Sequence, residues 1–489
     1  MPNRYFVRFA KQSRLARTNR DTPGGGSAGG VCERGSDGTT PCNRAGAVRP
    51  VPTQGRRTPP RMGEFESAAR EPLTLLMFAP FFPPHCGSEA HATARFALAL
   101  LRRGHRVDVI TSPLPRGTVA AGATLWEALR PYTHVVPKSP LRPPLPLLMR
   151  VLAVAATRHA IKGNSWASLA LQRAGRLIRG TRYDAILSRS MPAVGHLPAL
   201  VLSARTQLPW FANWNDIEPA VRAPVPYGQG PSARAGRWLE RFLRAVVTSA
   251  SHHTFPSRRS LNYMSAWYPG LRGRSSVIPH VALCDVAPAA PCANENRFTL
   301  CHAGLFDGRR DPAKLLGAVR RLLPTLAKEH TLQLILMGNS YDTTADLELP
   351  VDLKPYVKVL PWRPYEEALE TMRTADVLVL VEANVEEGIF LPTKFVEYVE
   401  CGRPVLAISP RVGTIRDLMD AHGGGIVCDC QSEDEIAGGL ARFYDLWRRR
   451  ELQERFPMDS LGRLFSVESV VGEYEKLFSQ HGVGGPQEN

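Results

Sequence analysis

The chain has 489 residues, 44% of them hydrophobic, and a formal net charge of +16. It is too long for one ordinary domain and can bury one or two large cores. The charge is uneven, because residues 1–61 hold 12 Lys and Arg but only 3 Asp and Glu. The rest of the chain is mildly basic, which argues against a nucleic-acid partner and suits anionic substrates or an anionic membrane surface.

Cysteine usage and hydropathy indicate where the protein works. The 9 cysteines are odd in number and lack metal-ligand spacing, so we expect reduced thiols, no metal site and a cytoplasmic protein. No run reaches the roughly 20 apolar residues of a membrane-spanning helix, and the basic N-terminus lacks a signal-peptide core. Residues 145–156, followed by Arg158 and Lys162, are either a core helix or a helix resting on the inner membrane face.

The first half of the chain shows a repeated strand and helix pattern. Residues 1–70 are rich in Arg, Gly, Pro and Thr and are predicted to be a disordered basic tail. Residues 73–79 are a nearly continuous apolar run, typical of a buried parallel strand. A loop, a helix over 89–103 and a strand over 106–111 complete a βαβ unit. Further strands are predicted over residues 183–188, 208–213, 252–257 and 276–279.

A second set of elements follows the Ala- and Pro-rich linker 286–291. Pro312 is predicted to open a helix, and residues 467–478 have helical spacing. Strands are predicted over residues 298–303, 332–337, 357–360 and 377–381. We therefore predict an α/β fold with two doubly wound, Rossmann-like domains that face a cleft. The predicted boundaries are 71–285 and 286–460, with a C-terminal helix and tail over 461–489.

Two loops of the second domain have residues suited to a diphosphate. Open parallel sheets bind ligands at the carboxyl ends of their strands. Gly304 permits close backbone approach, while Arg309 and Arg310 precede a helix N-terminus that favours anions. Lys394 supplies a second cation from the loop 386–397, and Glu397 lies on the same face if that stretch is helical.

The second loop also carries a recognisable pattern. Pro392, Lys394, Glu397 and Tyr398, within residues 386–407, resemble the donor-binding loop of the retaining family 4 glycosyltransferases, which have the GT-B fold and use nucleotide-sugars. The resemblance spans roughly residues 73–480. It implies that Lys394 meets the leaving diphosphate together with a basic residue of the first loop. It also implies that Glu397 holds the ribose and that the C-terminal helix crosses back to the first domain.

The same resemblance implies roles at the diphosphate and at the sugar for further residues of these loops. Arg310 is the expected first cation, with Arg309 beside it. The family's usual first Glu would fall at Ile389, so Glu387, or its neighbour Glu386, is expected to reach the sugar instead.

The first domain is implied to complete the site. Gly87 matches one glycine of a pair that meets the donor phosphate, while Cys86 replaces the other. His196 is expected either to contact the donor sugar or acceptor, or to be a helix-start histidine without a ligand. Asp216 matches an acid of a family segment in which Asn213 and Asn215 replace an acid and a base.

These observations predict a transferase that moves a sugar from a nucleotide diphosphate sugar to a hydroxyl acceptor, with retention, in glycan or glycolipid biosynthesis. The acceptor is expected to be lipid-linked, as in many relatives. No cofactor or metal is expected, because two cations can stabilise the charge that grows on the diphosphate. Two alternatives stay open: a nucleotide-sugar epimerase of the same fold, and a non-catalytic partner subunit.

Overall fold

The computed structural model describes residues 71–85, 87–114, 123–136, 151–152, 154–155, 157–284, 286, 296–306, 309–339 and 349–484. All of these described residues fall within one compact unit. The predicted disordered tail, residues 1–70, lies outside the described residues, as do Cys86 and most of the apolar stretch 145–156.

The first sheet has seven strands in the order β3-β2-β1-β4-β5-β6-β7, and all neighbours are parallel. Its central strands are buried on both faces, which explains their nearly continuous apolar sequences. The strands are β1 Thr74–Phe78, β2 Arg106–Thr111, β3 Thr133–Val135, β4 Ala185–Arg189, β5 Trp210–Asn213, β6 His252–Phe255 and β7 Ser275–Val277.

Helices cover both faces of this sheet and create two apolar cores. One core contains Phe78, Trp210 and Trp214, and the other contains Met77, Phe96 and Phe211. These helices are α1 Ser88–Arg102, α2 Ala123–Leu129, α3 Asn164–Gly180, α4 His196–Thr206, α5 Arg237–Ser249 and α6 Arg258–Ser265.

The second sheet has six parallel strands in the order β10-β9-β8-β11-β12-β13. Its strands are β8 Arg297–Ala303, β9 Thr331–Asn339, β10 Val357–Pro361, β11 Val377–Val381, β12 Val405–Ser409 and β13 Gly425–Asp429. The helices are α7 Ala313–Leu322, α8 Tyr365–Arg373, α9 Thr393–Glu400, α10 Thr414–His422, α11 Glu433–Arg448, α12 Leu452–Arg455 and α13 Asp459–Phe465.

The last helix, α14 Val467–Gln480, packs against the first sheet rather than the second. The ring of Tyr474 lies 4.5 Å from that of Phe96, and the ring of Phe478 lies 4.9 Å from that of Phe211. An ion pair of 2.9 Å joins Glu475 to Arg103. The chain therefore returns to its first half after completing the second.

The predicted fold class is confirmed, because both halves are parallel sheets covered by helices. The predicted strands agree with the observed ones to within two residues at most ends, and β2 and β11 agree at both ends. The edge strands β3 and β13 were not predicted from the sequence. Their side chains are mostly half-buried or exposed, so they lack the apolar runs of the central strands.

Candidate active site

Arg310 and Lys394 come to the same edge of the second sheet. Strands β8 and β11 are neighbours and run parallel, so their carboxyl ends lie together. Arg310 follows β8, and Lys394 lies in the first turn of α9, after the loop that leaves β11. Burial lowers the pKa of His302, near the end of β8, to about 4, and the charges of Arg310 and Lys394 act in the same direction. Both cations therefore lie near one imidazole.

His302 presents an acceptor at this edge. It is buried, and its Nδ1–H donates to the carbonyl oxygen of Val379 over 2.9 Å, which leaves Nε2 without a proton. Among the described residues Nε2 has no hydrogen-bond partner. A Cβ at Gly304 would lie 2.9 Å from Nε2. A side chain at this position would clash with the buried imidazole, which gives a structural reason for the glycine predicted from the loop sequence.

The first half of the chain reaches the two arginines through Tyr227. The Tyr227 ring lies 5.3 Å from the Arg309 guanidinium carbon and 5.9 Å from that of Arg310. An Nη2 of Arg310 also donates to the Tyr227 hydroxyl over 3.5 Å. The ring centroids of Tyr227 and Phe390 lie 5.2 Å apart in an edge-to-face arrangement. The arginines that follow β8 are thus held by an aromatic contact that no sequence pattern indicated.

Glu397 is engaged by two cations. Lys394 Nζ donates to Glu397 Oε2 over 2.8 Å, and Arg95 of α1 lies 3.9 Å from the other oxygen. Burial opposes ionisation, but the Lys394 and Arg95 charges outweigh it and hold the pKa of Glu397 below its ordinary value. The predicted phosphate cation and the predicted ribose carboxylate are therefore partners in this structure.

Arg95 joins the two halves at this point. It is almost fully buried, and its Nε donates to the carbonyl oxygen of Val281 over 3.1 Å. Its terminal nitrogens donate to the Glu400 carboxylate and the Tyr365 hydroxyl. The helix that carries Glu397 is thereby fixed to α1.

The expectation that Glu387 reaches the sugar is not supported by its position. Arg259 donates to Glu387 over 2.6 Å and forms a two-bond pair with Asp417. The Glu387 side chain is 43% exposed, and its described contacts include neither Arg310 nor Lys394. The sequence could not show this pairing, because Arg259 lies 128 residues away.

His196 lies inside the first half rather than at an open edge. Its ring is fully buried and lies 4.4 Å from that of Trp214, and its Nδ1 bonds the Ser188 hydroxyl at 2.8 Å. Burial lowers its pKa to about 3. In this structure the ring packs beside Trp214 at the start of α4, and both expectations for His196 stay predictions.

Gly87 and Asp216 lie on the first half of the chain, in the loops that follow the carboxyl ends of β1 and β5. Gly87 has φ of +125° directly before α1, a conformation that favours glycine. Burial raises the pKa of Asp216 to about 6 and that of its neighbour Glu89 to about 8. Asn215 Nδ2 donates to Glu89 over 2.6 Å. No described contact joins Asp216 to Arg310 or Lys394.

Three residues important to this arrangement were missed: Tyr227, His302 and Arg95. Their contacts join distant parts of the chain, so local sequence carried no signal for them. Within the described ranges, no group of three or more His, Cys, Asp or Glu side chains is arranged to hold a metal ion. None of the described helices is both long enough and apolar enough to cross a membrane.

Two family models match these two halves. Residues 87–280 match the glycosyl transferase 4-like domain, and residues 288–457 match glycosyl transferases group 1. Together they cover about three quarters of the chain. The fold and the matches define a glycosyltransferase of GT-B type. Its first half thus carries a glycosyl transferase 4-like domain, and its second half a domain of the glycosyl transferases of group 1.

The individual proteins that resemble this chain have low sequence identity to it. The D-inositol 3-phosphate glycosyltransferase of Streptosporangium roseum is 28% identical over 194 residues, which are 36% of this chain and 43% of that protein. The chain thus aligns with less than half the length of this curated relative. Sucrose-phosphate synthase from Thermosynechococcus elongatus superposes with a TM-score of 0.59 at 16% identity, over 84% of this chain and 99% of the other. A glycosyltransferase from Rickettsia africae superposes with a TM-score of 0.58 at 11% identity, over 84% of this chain and 98% of the other. Both structures share the fold.

Proposed function

We propose that the protein transfers a sugar from a nucleotide diphosphate sugar to a hydroxyl acceptor, with retention at the anomeric carbon. The observation that carries this proposal is that Arg310 and Lys394 follow β8 and β11, two parallel neighbours whose carboxyl ends lie at one sheet edge. Two cations from separate loops suit a diphosphate, because each can bind a different phosphate group. The two family matches and the named activity of the curated relative support the same reaction class.

The chemistry requires stabilisation of a leaving group. The bond from the anomeric carbon to the phosphate oxygen breaks, and its electron pair stays with the diphosphate. The acceptor oxygen bonds to the anomeric carbon from the same face, and its proton passes to the departing phosphate oxygen. Arg310 and Lys394 stabilise the charge on that oxygen as it develops. Two fixed cations supply what a metal ion would otherwise provide, so we propose a metal-independent reaction.

Donor binding changes the partner of Lys394 in this proposal. Lys394 turns from Glu397 to a phosphate, and the Glu397 carboxylate then accepts hydrogen bonds from the two ribose hydroxyls. Gly304 lets the backbone approach the donor closely, as we also propose for Gly87. Arg309 adds charge beside Arg310.

We also propose a lipid-linked acceptor and peripheral contact with an anionic membrane, in glycan or glycolipid biosynthesis. Val151 and Leu152 support this proposal, because they are 58% and 53% exposed. They belong to the apolar stretch 145–156, whose neighbours Arg158 and Lys162 carry positive charge. Flotation with vesicles of anionic phospholipid tests the contact, and Val151→Asp with Leu152→Asp should abolish it. Equal flotation with neutral and anionic vesicles would contradict the proposed attraction to anionic lipid.

The reaction is tested with UDP-, GDP- and ADP-sugars, each with and without polyprenyl-phosphate sugar and alkyl glycoside acceptors, by mass spectrometry of the products. A transferase forms a product heavier than the acceptor by one sugar. An epimerase changes the donor alone, and a partner subunit changes neither. Arg310→Ala and Lys394→Ala should each lower kcat about 100-fold or more. The control Arg320→Ala removes an exposed arginine paired with Asp352 and should keep wild-type turnover.

A further inference from the structure

The loop that follows β11 is attached to both halves of the chain. Its residues 386–392, here called the strap, lead directly into α9 and its Lys394. On the side of the second half, the Gly388 N–H donates to the Val412 carbonyl oxygen over 2.9 Å. The Thr414 N–H donates to the Gly388 carbonyl oxygen over 2.7 Å. These two bonds hold the start of the strap against the loop that follows β12.

The first half receives the strap in one of its two apolar cores. Ile389 belongs to that core and is 1% exposed. The Ser257 hydroxyl, which caps α6 by accepting the N–H of Ser260, donates to the Ile389 carbonyl oxygen over 2.6 Å. Phe390 packs against the same core and against the Tyr227 ring. The strap therefore leaves the first half only if apolar surface becomes exposed to water.

An ion cluster at the surface joins the same partners. Arg259, in the first turn of α6, donates from Nη1 to Glu387 of the strap over 2.6 Å. Its Nε and Nη2 donate to the two oxygens of Asp417, in the first turn of α10, over 2.6 and 2.8 Å. The Arg259 side chain is 23% exposed, and the Glu387 and Asp417 side chains are 43% and 54% exposed. One first-half side chain thus bonds two separate segments of the second half.

The buried and the charged attachments respond differently to salt. Dissolved ions screen exposed charges, because the Debye length falls from about 10 Å at 0.1 M salt to about 3 Å at 1 M. Screening does not weaken the burial of Ile389, since that burial is not electrostatic. A guanidinium with two bonds to one carboxylate and a third bond to another is stronger than an ordinary surface pair. The Arg259 cluster is therefore the part of the attachment that ionic strength loosens.

We propose that Arg259 is a salt-sensitive clip, which holds the strap in the first half and thereby controls the release of nucleotide. The gating part rests on the proposed function, because it concerns the diphosphate at Arg310 and Lys394. When the clip opens, Glu387 and Asp417 separate from α6, and Ile389 is held by its buried contacts alone. Since the strap continues into α9, its withdrawal moves Lys394 away from the first half.

Hydrogen exchange followed by mass spectrometry tests the clip without any ligand. Arg259→Met keeps an unbranched side chain and removes the charge. The control Arg320→Met removes another exposed arginine that has two bonds to one acid, Asp352. We expect Arg259→Met to raise the exchange rate in peptides over 386–398 and 255–265 about three- to tenfold at low salt. The wild type should approach that rate in about 1 M NaCl, and Arg259→Met should not respond to salt.

A second variant separates the clip from a general loss of stability. Asp417→Asn weakens the cluster from the side of α10 and should raise exchange in the same two regions as Arg259→Met. Unchanged exchange in Arg259→Met, or an equal rise in Arg320→Met, would overturn the clip. A rise in both cluster variants that extends evenly over all peptides of the chain would also overturn it.

Stopped-flow release of UDP, GDP and ADP with a fluorescent N-methylanthraniloyl group tests the gate. Arg259→Met should release the bound nucleotide about three- to tenfold faster than wild type and Arg320→Met at low salt. The ratio of the variant rate to the wild-type rate should approach one in about 1 M NaCl. Equal release at low salt would overturn the gate. A wild type that binds none of the three nucleotides would refute the proposed function and the gate, whereas hydrogen exchange would still decide the clip.

Discussion

Arg95→Met tests whether the buried arginine fixes the halves to each other. The substitution keeps an unbranched side chain of similar length and removes the charge. It leaves the Glu400 carboxylate, which is 1% exposed as a residue, without its arginine partner. It also removes donors from the Tyr365 hydroxyl and the Val281 carbonyl oxygen. With Glu397, which shares α9 with Glu400, four groups on three segments of the chain thus lose one common partner.

The loss of unfolding free energy in Arg95→Met depends on which partners the two glutamates keep. Removing one partner of a buried ion pair typically costs about 3–5 kcal/mol. Glu400 keeps the Cys284 N–H at 3.1 Å, and Glu397 keeps Lys394 at 2.8 Å. We therefore expect the lower value, about 3 kcal/mol. For an m-value of about 3 kcal/mol/M, the urea midpoint should fall by about 1 M.

Urea unfolding followed by circular dichroism and tryptophan fluorescence provides the assay. Arg320→Met is the control, because Arg320 forms an exposed pair with Asp352, and surface pairs contribute little. The reasoning is refuted if Arg95→Met and Arg320→Met have the same midpoint. A loss restricted to the fluorescence transition would instead show that the halves separate before they unfold.

Two further predictions concern Tyr227 and Glu89. Tyr227→Ala should raise the donor KM about five- to tenfold, because both arginines lose their aromatic contact, whereas Tyr227→Phe keeps the ring and should stay near wild type. Steady-state kinetics decides, and equal values for the two variants would refute the positioning role. Burial raises the pKa of Glu89 in the folded protein to about 8, above its ordinary value of about 4.5. Its contribution to stability is therefore complete below about pH 4.5 and is lost as the pH rises through 8. Between pH 5 and 8.5 the free energy of unfolding of the wild type should fall by up to about 4 kcal/mol more than that of Glu89→Gln, and parallel pH profiles in urea unfolding would contradict this.

Much of the fold could be predicted from local sequence. Parallel strands such as β1 and β11 are buried on both faces, so their apolar runs stand out. The edge strand β13 begins with Gly425 and is only partly buried, so it carries no such signal. Helix α14 was predicted from its spacing, but its packing partners in the first half could not be read from that spacing.

The site was predictable where chemistry and strand ends coincide. Arg310 and Lys394 follow strands of one sheet, and the parallel topology brings the two loops to one edge. Glu387 shows the limit, because its position depends on Arg259, a residue distant in sequence. His196 shows another, since a histidine that starts a helix has the same sequence signature whether it faces a ligand or packs on Trp214.

The central claim is that Arg310 and Lys394 bind one diphosphate. Isothermal titration of wild type, Arg310→Met, Lys394→Met and the control Arg320→Met with UDP, GDP and ADP tests it most directly. A charge-assisted hydrogen bond contributes about 1.5–3 kcal/mol, so each site variant should bind the preferred nucleotide about 10- to 100-fold more weakly. Arg320→Met should match wild type. Unchanged affinity in either site variant would contradict the claim.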